Sequence, residues 1–275
     1  MSLPLFAPTD DPGPDFAALM RLSGGVLQRS NHDSAKPGIA IPHATTVVAL
    51  RYGDGVIMAG DRRATEGHAI AHRAMEKVFP ADRWSAVAIA GAAGPAVEMV
   101  RLFQVQLEHY EKVEGVSLSL EGKANQLAQM VRVHLPLAMQ GLVVVPLFAG
   151  YDLHRSIGRI YTYDVTGGHY EEADFQATGS GGRDARTTMK LGFREGLTLD
   201  QGLELAIEAL YEAADEDSGT GGPDLVRGIY PIVAAVDSNG YSRIEDEEVA
   251  ERFAALISRK REERTGQHRG GGEPG

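Results

Sequence analysis

Thr45-Thr46-Val47-Val48-Ala49-Leu50-Arg51-Tyr52 is a β-branched, largely apolar run; Gly53-Asp54-Gly55 is a turn, and Val56-Ile57-Met58-Ala59-Gly60 is a second extended run. Together they predict a pair of strands joined by a tight turn. Downstream, Lys77-Val78-Phe79 is short and strand-like, and Trp84 to Ala90 is a further strand that closes on Gly91. Two helices follow. The first spans about Pro95–Glu114, with Val97, Val100, Leu102, Phe103, Val105, Leu107 and Tyr110 apolar and Pro95 in the first turn. The second has Ser119 as N-cap and reaches about Gln140, with Leu120, Leu127, Met130, Val131 and Leu135 inward; Pro136 should kink it or end it early.

Strands return at Leu142–Tyr151 and Arg159–Tyr163, and Gly167-Gly168 is a turn between two more extended segments. Helical patterns recur at about Ala185–Glu195 and Leu199–Ala214. Tyr230–Val236, Asp237-Ser238-Asn239-Gly240 and Tyr241 read as a hairpin on an Asn-Gly turn. A last helix covers about Asp246–Arg264, leaving 265–275 as a flexible tail. Runs of strands alternating with runs of helices argue for α+β layering, with helix pairs on the outer faces of two packed sheets. Upstream of Thr45 the texture differs. Residues 1–44 hold six of the 13 prolines, and only Asp15–Leu22 offers a short helix. That leader is either a weakly ordered tail or a removable pro-segment.

Length and composition narrow the function. A chain of 275 residues fits one large domain or two small ones, and can bury a core without staples. With 43% hydrophobic and 24% charged residues it is neither disordered nor fibrous. It has 0 cysteines, which excludes disulfides, thiolate metal sites and a cysteine nucleophile, and suits a reducing cytosol. A net charge of −11 argues against sequence-independent nucleic-acid binding. The longest apolar stretch, Leu142–Gly150, is too short for a membrane span and contains Pro146; the N-terminus lacks the basic and apolar regions of a secretory signal.

Common motifs are missing or weak. There is no Gly-x-Ser-x-Gly elbow, Walker A loop or His-Glu-x-x-His. Gly179-Ser180-Gly181-Gly182 reads as a turn before it reads as a phosphate cradle. His68 and His72 have the spacing to share a metal on a helix face, but no third ligand has motif spacing, and two exposed histidines is the simpler reading. Asp215-Glu216-Asp217 reads as a solvated acidic helix end. No metal is expected.

A stronger pattern is spread along the chain: Ala44-Thr45-Thr46-Val47-Val48-Ala49, Gly60-Asp61-Arg62-Arg63-Ala64-Thr65, Lys77 and Gly91-Ala92-Ala93-Gly94. Leu107-Glu108-His109-Tyr110-Glu111-Lys112, Ala138-Met139-Gln140-Gly141 and Gly221-Gly222-Pro223-Asp224-Leu225-Val226-Arg227-Gly228 extend it. In this order and spacing, over nearly all of residues 45–264, the sequence resembles the proteasome β-subunits, N-terminal-nucleophile threonine proteases, and looks closest to the actinobacterial 20S type. The resemblance implies a four-layer αββα sandwich of two antiparallel sheets between helix pairs.

The chemistry is coherent. A threonine hydroxyl is a weak nucleophile and needs a base. Cutting Ala44–Thr45 would give Thr45 an α-amino group, whose reference pKa of about 7.7–8.0 lets it take that proton near neutral pH. Asp61 and Lys77 stand 16 and 32 positions after Thr45 (61 − 45 and 77 − 45), the family's offsets for its catalytic aspartate and lysine. By resemblance, Gly91 supplies the oxyanion N–H, Ser180 lies near the nucleophile, and Asp217 and Thr220 hold the Thr45 amine and its water. Thr220 stands where serine is common. Ala64, Thr65, Met75, Ile89 and Ala93 are implied to line the substrate pocket, favouring an apolar or aromatic residue before the cut bond. Ala44 occupies a position where the family usually has glycine, which eases the strained turn of self-cleavage.

Taken singly, Thr45-Thr46 could be ordinary strand residues, Asp61 a turn residue and Lys77 a surface lysine; their joint spacing favours the catalytic reading. The resemblance further implies a cytoplasmic assembly of two seven-membered β-rings between α-rings. An ATPase ring would feed it unfolded proteins, in actinobacteria often marked by a ubiquitin-like modifier. No cofactor, nucleic acid or membrane is implied. The rival readings are an isolated amidohydrolase acting on a small amide and a non-catalytic ring scaffold.

Overall fold

The computed structural model describes residues 45–67 and 69–269. Its strands are β1 (Thr46–Tyr52), β2 (Gly55–Gly60), β3 (Ala64–Glu66), β4 (Ala69–His72), β5 (Val78–Asp82) and β6 (Ser85–Gly91), followed by helices α1 (Ala93–Glu114), α2 (Leu120–Val133) and the one-turn α3 (Leu135–Ala138). Next come β7 (Val144–Asp152), β8 (Ile157–Tyr163), β9 (His169–Glu172) and β10 (Phe175–Gly179), then α4 (Gly182–Gly192) and α5 (Leu199–Glu216). β11 (Ile232–Asp237), β12 (Gly240–Arg243) and α6 (Asp246–Arg269) complete the order.

Two five-stranded antiparallel sheets result, in the orders β10-β1-β2-β11-β12 and β5-β6-β7-β8-β9. β1 and β2 are apolar on both faces because both faces are covered. Val47, Ala49, Val56 and Met58 point into the gap between the sheets and meet Val78, Ala86, Ala88, Leu147, Ala149 and Ile160. The many alanines there suit two sheets packed face to face. The alternate residues Val48, Leu50, Ile57 and Ala59 pack outward on Met189 of α4, Leu203 and Leu210 of α5, and Phe253 of α6. On the far side, Val87, Ile89, Phe148 and Tyr161 pack on Phe103 of α1 and Leu127 of α2. Each fully buried large side chain contributes about 1.5–3 kcal/mol by leaving water. The layers are therefore helix, sheet, sheet, helix, as expected.

Local signals explain the helix ends. The Ser119 side chain accepts the Gly122 N–H at 3.1 Å and caps α2. Pro136 acts as expected: α2 stops at Val133 and the proline falls in the first turn of α3. Thr198 and Gln201 form a reciprocal capping box at the start of α5.

One segment left unassigned by the sequence takes shape, and one helix end moves. Residues 64–72 form the β3–β4 hairpin, with Gly67 at its turn in left-handed backbone (φ 58°), so His72 stands exposed on a strand and not on the helix face that metal sharing would need; His68 lies outside the described residues. α6 continues to Arg269, past the Arg264 expected from sequence, carried by the helix formers of Lys260-Arg261-Glu262-Glu263-Arg264. The leader with its Asp15–Leu22 segment, Ala44 and residues 270–275 lie outside the described residues. Among the described residues, no helix is long and apolar enough to cross a membrane.

Candidate active site

Thr45 precedes β1 and is buried. Its carbonyl accepts the Ser180 N–H at 2.8 Å, and its own nitrogen donates to Ser180 Oγ at 3.3 Å. The opposing residue on this flank is Gly179 at φ 101°; a Cβ there would stand 1.8 Å from the Thr45 carbonyl oxygen, so only glycine permits the approach.

Asp61 follows β2 directly and is fully buried. Oδ1 accepts the Thr46 N–H at 2.8 Å and Lys77 Nζ at 2.6 Å, while Oδ2 accepts the Arg63 N–H at 2.8 Å and the Gly221 N–H at 2.9 Å. Lys77 stands just before β5, 1% exposed, and reaches across to the first sheet. Its ammonium also donates to the Arg63 carbonyl at 2.5 Å. Burial pushes the Lys77 amine below its ordinary value; the attraction of Asp61 works against that shift without cancelling it. The sequence trio Thr45, Asp61 and Lys77 is thus brought together by the ends of β2 and β5 meeting at the start of β1.

A second group gathers on the other flank. Asp217, at the C-terminal end of α5, accepts Ser180 Oγ at 2.5 Å, Thr220 Oγ1 at 2.6 Å and the Gly219 N–H at 3.1 Å. Burial alone would raise this carboxyl, but the hydrogen bonds from Ser180, Thr220 and the loop amides outweigh it and hold it below the usual value. Thr220 Oγ1 lies 2.6 Å from Thr46 Oγ1, which accepts the Gly181 N–H at 3.0 Å. The directions follow. Thr220 gives its proton to the carboxylate, so Thr46 must donate to Thr220. Two arms therefore converge on Asp217: Thr45 N–H to Ser180 to Asp217, and Gly181 N–H to Thr46 to Thr220 to Asp217.

Gly91 ends β6 opposite Val144, two residues beyond Ile89, whose N–H bonds to the Lys77 carbonyl at 3.0 Å. Among the described hydrogen bonds, none joins Gly91 to the cluster. Of the expected pocket residues, Met75 and Ala93 line one cleft of about 1070 Å³ between residues 72–75 and the first half of α1, with Val97, Leu102 and Val105 on its apolar side. Thr65 is half-buried on β3. Ala64 is buried at the start of β3, and Ile89 packs among Val87 and Phe103 in the core under α1; neither lines that cleft.

Sequence reading passed over Thr46, Arg63 and Gly221 as parts of the site. A buried hydroxyl at the head of an otherwise apolar strand was the available sign for Thr46. Arg63 and Gly221 act on Asp61 through the main chain, which leaves no mark in side-chain identity.

A family model described as proteasome subunit matches residues 41–226. The chain belongs to the proteasome family. Its relatives in that family carry the name proteasome subunit beta. That of Acidimicrobium ferrooxidans is 62% identical over 262 residues, 95% of this chain and 96% of its own length. That of Streptomyces griseus is 57% identical over 228 residues, covering 83% and 81% of the two chains. That of Acidothermus cellulolyticus is 59% identical over 213 residues, covering 76% and 73%. The likeness to proteasome β-subunits of actinobacteria that the motifs implied is thereby shown, and the two helix-flanked antiparallel sheets agree with it.

Proposed function

We propose that the chain is a catalytic β-subunit that hydrolyses peptide bonds with Thr45 as N-terminal nucleophile, after removal of residues 1–44. In maturation, Thr45 Oγ attacks the Ala44 carbonyl carbon beside the Lys77 ammonium, and its proton passes through a bound water to the departing Thr45 nitrogen. The acyl group shifts from nitrogen to oxygen. Water then cleaves the ester, releasing a leader that ends in a carboxylate and freeing the Thr45 amine. In turnover, that amine takes the Oγ proton as Oγ attacks the scissile carbonyl. The Gly91 N–H receives the oxyanion, a kind of contact worth about 3–4 kcal/mol in comparable enzymes. The amine returns the proton to the leaving nitrogen, and water hydrolyses the acyl-enzyme. Lys77 favours the alkoxide by its charge, Asp61 fixes Lys77, and Ser180, Asp217 and Thr220 hold the Thr45 nitrogen.

The observation that carries this reading is the buried Lys77–Asp61 pair bonded to the N–H of Thr46, one residue from the proposed nucleophile. Burying a lysine is costly, and this one is tied through Asp61 to the residue next to the hydroxyl that chain cleavage would activate. Met75 and Ala93, which line the cleft beside α1, select an apolar or aromatic residue before the cut bond. By its family, the subunit assembles with proteasome α-subunits and other β-subunits into stacked seven-membered rings in the cytoplasm, supplied with unfolded proteins by an ATPase ring.

Intact mass of the protein made with an α-partner tests the scheme. The expected product has 231 residues (275 − 44) and starts at Thr45. Thr45→Ala should assemble, keep its leader and cleave no peptide. A Thr45→Ala particle trimmed to the same start or turning over normally would overturn the mechanism. Hydrolysis by a monomer would instead point to a small-amide hydrolase, and an inert but correctly processed particle to a scaffold.

A further inference from the structure

Two loops meet over the Lys77–Asp61 pair, and one residue touches both. The Arg63 N–H donates to Asp61 and its carbonyl accepts Lys77 Nζ. Its guanidinium Nη1 donates to the Ser218 carbonyl at 3.0 Å, between Asp217 and Thr220. The same loop returns the Gly221 N–H to Asp61. The seat is close: a Cβ on Gly221 would stand 2.7 Å from that of Arg63.

We infer that Arg63 is a positioning residue whose guanidinium locks the 217–222 loop onto the Lys77–Asp61 pair, so that the two flanks of the site hold one geometry. The Ser218 acceptor is main chain, so substitution can weaken this tie only from the arginine side. A lysine there keeps the charge but loses the planar donor fork. The charge has a second consequence. Lys77 Nζ faces Asp61, Asp217 and Arg63; the two carboxylates favour its protonated form and the guanidinium opposes it. The inference rests on the catalytic reading of Thr45 for its effect on turnover, but not for its effect on the loop.

The test uses the assembled particle carrying Arg63→Met or Arg63→Lys. Hydrogen exchange across Asp217–Gly222 reads the loop whatever Thr45 does. Arg63→Met should speed that exchange about tenfold, the scale of one charge-assisted hydrogen bond. Turnover of an apolar fluorogenic peptide should also fall about tenfold, with KM within about twofold because the Met75–Ala93 cleft is untouched. The pH of half-maximal turnover should rise in Arg63→Met, which frees Lys77 from the guanidinium, and stay in place in Arg63→Lys. Arg63→Lys should regain part of the loop protection, and Arg63→Gln serves if the methionine variant does not assemble. Unchanged loop exchange in the uncharged variant overturns the inference, as does faster exchange with wild-type turnover. An active Thr45→Ala particle would overturn the catalytic reading and leave the exchange result standing.

Discussion

Among the described residues two buried lysines pair with aspartates, and only one of these pairs adjoins the hydroxyl groups of the candidate site. Lys123 of α2 pairs with Asp82 at the end of β5, as Lys77 pairs with Asp61. Both ammonium groups are withdrawn from water. Asp82 also accepts the Trp84 N–H at 3.1 Å and Ser85 Oγ at 2.5 Å, so its contacts close on their own turn and tie a helix to a sheet. The contacts of Asp61 run instead to Thr46 and Gly221, in two distant segments, as well as to Arg63 in its own turn, and a hydroxyl-bearing array stands next to them. Burial of a charge is therefore not what distinguishes a reactive centre. The distinction lies in whether the pair is bonded to segments that carry further ionisable and nucleophilic groups.

The sharpest test exchanges one lysine at a time. Lys77→Ala should retain its leader and lose peptide hydrolysis by about 10³-fold or more, read by intact mass and a fluorogenic apolar peptide. Lys123→Ala should be processed and keep turnover within about threefold. Equal loss in both assembled variants would erase the comparison.

Stability should not separate them. Removing Lys77 leaves the buried Asp61, and removing Lys123 the largely covered Asp82, without its cation, at a cost on the order of 3 kcal/mol. Lys77→Met and Lys123→Met particles should both unfold at lower denaturant than wild type. If only Lys77→Met were destabilised, its lost activity would need no chemical explanation.

Asp217 sharpens the contrast by pH, because it is the further carboxylate that Lys77 faces. Its folded value lies below 3.8, so the stability it lends is fully present above about that pH and is lost as pH falls through the lower folded value. The stability gap between wild type and Asp217→Asn should be widest near neutrality and shrink below about pH 3.8. A gap that widened on acidification would reverse the assignment.

The smallest effect concerns selection at the cleft two residues from Lys77. With Met75 and Ala93 on its wall, peptides bearing an apolar or aromatic residue before the cut should be hydrolysed faster than those bearing Asp or Arg. A substrate panel cut best after charge would contradict this.

Much of the fold was readable because β1, β2 and β6 announce themselves as apolar runs and Ser119, Pro136 and Asn239-Gly240 mark ends and turns. The β3–β4 hairpin was not, since its strands are three and four residues long and β4 is exposed throughout, leaving no alternation to read. In the site, Thr45, Asp61 and Lys77 stood out through their spacing. Thr46 did not, because one hydroxyl in a β-branched run looks like strand propensity. The tie from Arg63 to Ser218 joins positions 155 apart, a contact that only the tertiary fold creates.

Among the described residues, Thr45 is held by groups that follow it in the chain. Its carbonyl is held by the Ser180 N–H, and the next N–H by Asp61. The pairing of β1 with β10 begins only at Thr46. A chain end created just before Thr45 would therefore leave every described rung of β1 in place. The groups that would receive such an end, Ser180 and Asp217, are already bonded to each other.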